Sequence, residues 1–327
     1  MDKIYKIEIS HRTIIFTIFF LILLQVVWIV RDVVFSLFIA FIIMSALKPA
    51  VIYLNKKKIG KSLSAFAIFI LFIAIIILLL TQIFPPLISE SLSLFKNLPD
   101  IVKRLNPALG SYIKLDFLSQ YLPNLATNLF TLIGSIFSNV FFVVSTLFFS
   151  FYFLIEEDFI KRFALRFFAE KDVDHVAQIF DRIEKRMSSW FWGELTLMTI
   201  IGVMTFIGLN LLGVRYSLPL ALIAGLLEAV PNIGPVLSAV PAFVVAASQS
   251  YFLGLSTIVL YIIVQQIENN LVVPWVMRKM VGINPIITLI ALIVGGRIGG
   301  VLGVLLAIPI TLLLEIVVAE IIRSRSG

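Results

Sequence analysis

Long apolar runs separated by short polar stretches dominate this chain of 327 residues. A helix needs about 20 apolar residues to cross the hydrocarbon core of a bilayer. Runs near this length predict single membrane spans at 13–30, 33–47, 63–84, 125–155, 195–212 and 253–273. With two further interrupted runs, the pattern predicts an all-α polytopic membrane protein of about eight membrane segments.

The two remaining apolar runs, 218–250 and 283–318, are broken in the middle by proline and glycine. Proline removes a backbone donor, and glycine loosens the chain. In hydrocarbon such a break persists only where protein or a watery cavity satisfies the freed backbone groups. The residues that shape these breaks are Pro231, Gly234, Pro235, Gly295, Gly296, Gly299 and Gly300.

The two broken runs also resemble each other. When 214–219 is laid over 281–285, Gly234 falls on Gly300 and Pro241 falls near Pro309. One full span precedes each unit, so hairpins in these positions would enter the membrane from opposite faces. We therefore predict two re-entrant hairpins in an inverted repeat, the arrangement of many secondary transporters. The alternative is that each unit is a pair of short spans.

Two stretches are too polar to span. Residues 85–124 predict an outer-side amphipathic segment, and 156–190 predict a cytoplasmic helix with an apolar stripe at helical spacing. That helix packs either against the base of the protein or in the inner membrane interface. The predicted organisation is thus N-terminal spans (1–84), the outer segment (85–124), one span (125–155), the cytoplasmic segment (156–190) and a transport core (191–322).

The charge distribution predicts orientation. Only 14% of the residues are charged, against about 25% in soluble domains. Most of the 26 lysines and arginines fall on one side of the predicted spans, the side of the N-terminus. The positive-inside rule then places both termini in the cytoplasm. The net charge of +7 follows from this arrangement, so we expect the lipid bilayer as partner and no nucleic acid.

Several kinds of chemistry lack their residues. There is no cysteine, and both histidines, His11 and His175, lie outside the apolar runs. No phosphate-binding loop and no cluster with metal-ligand spacing is present. We therefore predict a protein that is not an enzyme, with no cofactor and no metal site.

Glu228 is the leading candidate for a functional residue, because an ionisable side chain inside a membrane segment is costly. It precedes the first break in the run and could bind a cation, carry a proton or hydrogen-bond a hydroxylated solute. The alternative is a neutral structural carboxyl near an interface. Asn232 adds an amide at the same break.

A second polar group ends the last complete span: Gln265, Gln266, Glu268, Asn269 and Asn270. It predicts either part of a substrate path or interfacial residues at a helix end. Arg297, at the second break, could approach Glu228 if the hairpin tips meet, or could reach water by snorkelling. Glu194 and Glu315 are expected near water or in structural pairs.

The motifs around these residues resemble those of the autoinducer-2 exporter family of bacterial membrane proteins. The resemblance rests on 228–235 with Pro241, on 269–274, on 279–285 and on 300–309. It places Glu228, Pro231, Gly234 and Pro235 in a family motif that does not include Arg297. It implies a bacterial inner-membrane protein that exports autoinducer-2 without ATP hydrolysis, or exchanges sodium or lithium for protons, and that forms homo-oligomers.

The sequence thus favours a secondary transporter that exports a small polar solute such as autoinducer-2. A sodium (lithium)/proton antiporter is the first alternative. A channel, or a membrane scaffold that recruits a partner through 156–190, remains a further one.

Overall fold

The computed structural model describes residues 11–79, 81, 139–156, 165, 170–231, 233–277 and 284–326. These residues form helices and connecting turns, with no strand among them. Five of the helices are long and apolar enough to cross a membrane, and shorter apolar helices accompany them. The predicted fold class, an all-α polytopic membrane protein, is confirmed. The predicted outer segment (85–124), the first part of the fourth predicted span, and Asn232 lie outside the described residues.

The N-terminal part contains four helices: α1 (His11–Ile29), α2 (Arg31–Lys56), α3 (Lys61–Leu78) and α4 (Val140–Ile155). Helix α2 packs between α3 and α4 around Met44, Leu47, Phe69 and Leu154. A buried hydrogen bond of 2.8 Å joins the hydroxyls of Ser36 on α2 and Thr146 on α4. Because both hydroxyls are hidden from water, this bond satisfies groups that would otherwise be costly to bury.

Helix α5 (Glu170–Leu211) continues for 42 residues without a break. It joins part of the predicted cytoplasmic segment to the predicted span at 195–212 in one rod about 63 Å long, at 1.5 Å per residue. Its apolar stripe, Ile183 and Met187, is buried against α2 and the last helix of the chain. Trp192 on α5 donates a 3.0 Å hydrogen bond to the carbonyl of Ala46. Helix α5 is therefore held along much of its length by packing.

The first broken segment is a helical hairpin of α6 (Ser217–Leu227) and α7 (Ile233–Gln249). Leu220 and Ala224 on one arm share a buried cluster with Ala242 and Val245 on the other, so the chain folds back on itself. The arms rise about 17 and 26 Å, and both are shorter than a core about 30 Å thick. Gly234 lies at the tip, where an added Cβ would be 1.9 Å from the carbonyl oxygen of Leu227.

Helix α8 (Tyr251–Ile267) follows directly, with the Ser250 side chain capping its first turn. It packs antiparallel to α7 and continues into a π-helical turn, Glu268–Val272, before the short helix α9 (Val273–Val276). A π turn carries an extra residue relative to an α-helix, and such turns are found mostly at functional sites.

The second broken segment, α10 (Pro285–Ser326), is also a hairpin. Gly300 has φ 57° and ψ −134°, a conformation that only glycine adopts easily, and the chain reverses there. Beyond the turn, a Cβ on Gly303 would lie 1.9 Å from the carbonyl oxygen of Gly295. The two hairpins thus share one construction: a glycine on the returning arm lets it touch the backbone of the entering arm.

Candidate functional site

Glu228 lies where α6 ends at the tip of the first hairpin, and only 2% of its surface is exposed. The turn after it is held by backbone hydrogen bonds from Ile233 to Pro231 and from Gly234 to Val230, of 2.8 and 2.9 Å. Pro231 has no N–H and cannot extend α6 in the usual way. The break therefore fixes the Glu228 carboxyl inside the protein at the end of a helix.

Glu268 meets Glu228 there. It begins the π-helical turn after α8 and is 4% exposed. The two carboxyl groups are in hydrogen-bonding contact, and the half-buried Gln265 also reaches Glu268. Two carboxyl groups can hydrogen-bond to each other only when one of them carries a proton. This contact therefore brings together two members of the predicted site that come from different helices.

Glu194 on α5 completes the group, which we call the acidic cluster: Glu194, Glu228 and Glu268. It is 8% exposed and close enough to act electrostatically on both of the others. The sequence predicted a residue near water or in a structural pair. Its burial beside the hairpin tip differs from that expectation, because the continuous helix α5 carries it under the tip.

One oxygen of each glutamate in the acidic cluster has no hydrogen-bond partner. None of the three forms an ion pair with a lysine, arginine or histidine of the described residues. Buried charges are ordinarily paired or bound to ions, because burying a bare charge is very costly. The cluster can therefore take up protons, a monovalent cation or a hydrogen-bond donor. In the described ranges no histidine or acidic side chains are grouped as a metal ion would require.

The other predicted polar residues of the helix end are separated from the acidic cluster. Asn270 donates hydrogen bonds to the backbone and side-chain oxygens of Gln266, of 2.8 and 3.0 Å, on the exposed face. Asn269 is exposed as well. Of this group, the structure brings only Gln265 and Glu268 to Glu228.

Arg297 does not approach Glu228. Its side chain is exposed on the second hairpin, just before the reversal at Gly300, and it forms no ion pair with Glu228. The neighbouring Gly299 packs against the ring of Phe35 on α2. The sequence-based pairing of the two tips is therefore wrong, because the second tip is placed against α2.

The glycines and prolines predicted to shape the breaks do so by different means. Gly300 makes the reversal, while Gly295 and Gly234 allow close contact between the arms. Gly296 faces only the Val304 side chain. The Pro235 carbonyl accepts a 3.0 Å hydrogen bond from the Ser238 hydroxyl, so it does not remain an open backbone group.

Sequence reasoning missed a second polar position in the same interface. The Tyr261 hydroxyl on α8 is buried without a hydrogen-bond partner and faces Ser238 of α7. Thr205 on α5 is 1% exposed and its hydroxyl also has no partner. Tyr261 lies two helical turns, about 10 Å, from Glu268 on the same face of α8. Its position seven residues before Glu268 was the available signal.

Comparisons with known proteins agree with this architecture. The sequence profile of the AI-2E family transporter matches residues 16–323. "Putative transport protein YueF" of Bacillus subtilis (strain 168) is 27% identical over 311 residues, covering 88% of this chain and 84% of that protein. "Putative transport protein YrrI" of the same strain is 24% identical over 336 residues, covering 96% and 95%. "Putative transport protein YhhT" of Escherichia coli (strain K12) is 30% identical over 150 residues, covering 46% and 43%.

The matched region takes in every helix from α2 to α9, both arms of each hairpin and all three glutamates of the acidic cluster. The same motifs that carried the resemblance in the sequence form the hairpin tips and the π turn in the structure. With a profile match over nearly the whole chain, the protein belongs to the AI-2E family of membrane transporters.

Proposed function

We propose that this protein is a secondary transporter that exports a small polar solute, with autoinducer-2 as the first candidate, and that the acidic cluster is its binding or coupling site. The observation that carries the proposal is the burial of three unpaired carboxyl groups at the tip of a hairpin. Unpaired carboxyls and the backbone at the break provide hydrogen-bond acceptors for a hydroxylated solute. Broken membrane helices with a polar site at the break are the usual construction of secondary transporters.

A sodium (lithium)/proton antiporter is the second candidate, and one specific observation favours it. Glu228 and Glu268 are in contact, and no basic side chain of the described residues neutralises them. Mutual repulsion of buried carboxylates is relieved equally well by protons or by a small cation. A site that accepts one or the other can exchange them across the membrane.

Flux measurements in proteoliposomes without ATP test the proposal. Release of candidate solutes, autoinducer-2 first, and sodium-driven proton movement read by a pH-sensitive dye would be compared for the wild type, Glu228→Gln and Asp32→Asn. Asp32 is an exposed carboxyl at the start of α2, so its variant is the matched control. We expect at least a tenfold loss of flux for Glu228→Gln and no loss for Asp32→Asn.

The outcomes separate the candidate functions. Solute flux without sodium-driven proton flux supports the exporter, and the reverse result supports the antiporter. Unitary currents in bilayer recordings would show a channel instead. Normal flux in Glu228→Gln would remove the acidic cluster from the mechanism. A phenotype lost only on deletion of the segment 156–190 would indicate a scaffold.

A further inference from the structure

A second polar site lies away from the acidic cluster, between α5 and the returning arm of α10. These helices enclose a cavity of about 380 Å³. Its charged lining consists of Arg182, Lys185, Arg186, Glu315, Glu320 and Arg323. Binding cavities for small ligands usually measure about 300–1,000 Å³, so this volume is sufficient for one polar group.

The carboxylates of the cavity are already engaged. Arg182 donates a 2.7 Å hydrogen bond to Glu320, which also contacts His175 at 3.0 Å. Arg186 donates a 3.0 Å bond to Glu315. Two carboxylates thus face four permanent cations, so the cavity carries a surplus of two positive charges.

Lys185 accounts for part of this surplus. Its side chain is exposed at the cavity and forms no ion pair with a described residue. Arg323 contributes the second charge from the last turns of α10. The partial negative charge at the carboxyl end of α10 falls off within one turn and does not reach Lys185 or Arg186 on α5. The hydroxyl-bearing Ser189 also lines the cavity.

We propose that this cavity binds the phosphate group of an anionic ligand. A phosphate monoester carries about −1.5 to −2 charges at pH 7, which matches the surplus. Arginine forks and a lysine ammonium are the side chains that most often hold phosphate. The cavity lies on the charged half of α5, and basic cavities between membrane helices are known places for lipid head groups. A lipid head group and a soluble phosphate share this chemistry.

Two binding experiments on the full-length protein distinguish these sources. In the first, inorganic phosphate is titrated against detergent-purified protein by calorimetry, with chloride at equal ionic strength as reference. In the second, protein in nanodiscs of phosphatidylcholine, with or without phosphatidic acid, is examined for retained lipid by native mass spectrometry. Wild type is compared with Lys185→Glu and with Lys56→Glu, which reverses an exposed charge on α2 outside the cavity.

We expect phosphate or phosphatidic acid to bind the wild type and Lys56→Glu, and to bind Lys185→Glu at least tenfold more weakly. Retention of phosphatidic acid identifies a lipid, and calorimetric binding of phosphate identifies a soluble ligand. The proposal is overturned if neither probe binds above its reference, or if the two variants weaken binding equally. Because no transport is measured, this result is independent of the function proposed for the acidic cluster.

Discussion

Glu228 and Glu268 acquire their chemistry from each other. Each is nearly fully buried, and each has an oxygen without a partner. Either residue alone would be a costly charge in an apolar setting, whereas a contacting pair can share a proton or a cation. Glu194 adds a third carboxyl from a helix that is distant in sequence. The functional unit at this scale is therefore a group of side chains rather than a single residue.

If the pair acts as a unit, its variants will not be additive. We expect Glu228→Gln and Glu268→Gln each to reduce proteoliposome flux at least tenfold, and the double variant to be no slower than the worse single variant. Residues that share one function show this strong coupling in double-mutant cycles. Losses that multiply in the double variant would indicate two independent roles.

Glu228 and its break could be identified from the sequence, because a carboxyl beside proline and glycine in an apolar run is unusual. The contact with Glu268 could not, because it depends on how α8 packs against the hairpin and on the π turn that orients Glu268. Glu194 was placed wrongly for the same reason. Gln266 and Asn269 show the converse: they belong to the same polar run as Glu268 but are on the exposed face.

At the scale of helices, the two hairpins depend on backbone contact between their arms. Gly234 and Gly303 each leave no room for a Cβ, because the nearest atom is a backbone carbonyl oxygen of the opposite arm. A backbone oxygen cannot move aside as a flexible side chain can. The position of the acidic cluster therefore depends on residues that carry no chemistry themselves.

We expect Gly234→Ala and Gly303→Ala to destabilise the protein by about 1–3 kcal/mol, the usual cost of overpacking. Thermal unfolding of the purified protein would show lower midpoints for both. Gly60→Ala is the matched control, because no atom lies within 4 Å of its added Cβ. Equal midpoints for all three variants would mean that the arms separate easily.

The fold class and both breaks were predictable, since hydropathy and the positions of proline and glycine determine them locally. The extent of α5 was less so. The polar pattern of 156–190 and the apolar pattern of 195–212 differ in surroundings, and the sequence gives no signal that one helix passes through both. The placement of the second hairpin tip against Phe35 depends on long-range packing that a single sequence does not encode visibly.

At the scale of the molecule, the chain combines an N-terminal group of spans with two hairpins that each follow a long helix. The internal similarity of 214–250 and 281–318 corresponds to this construction, with Gly234 and Gly303 in matching roles. The strong bias of basic residues predicts that both termini lie in the cytoplasm.

Reporter fusions test this orientation. Green fluorescent protein attached at either terminus is expected to fluoresce in bacterial cells, and alkaline phosphatase at either terminus is expected to be inactive, because each reporter works on only one side of the membrane. An active phosphatase at one terminus alone would require an odd number of crossings, and at both termini would reverse the assigned orientation.

The unbroken course of α5 links two distant regions of the molecule. Arg182 and Glu194 lie on the same rigid rod, about 18 Å apart along its axis. An anion that draws the charged half of this rod toward α10 acts on a lever whose other half carries a carboxyl of the acidic cluster. Turnover should then respond to the composition of the surrounding leaflet or to cytoplasmic phosphate, even though neither is cargo.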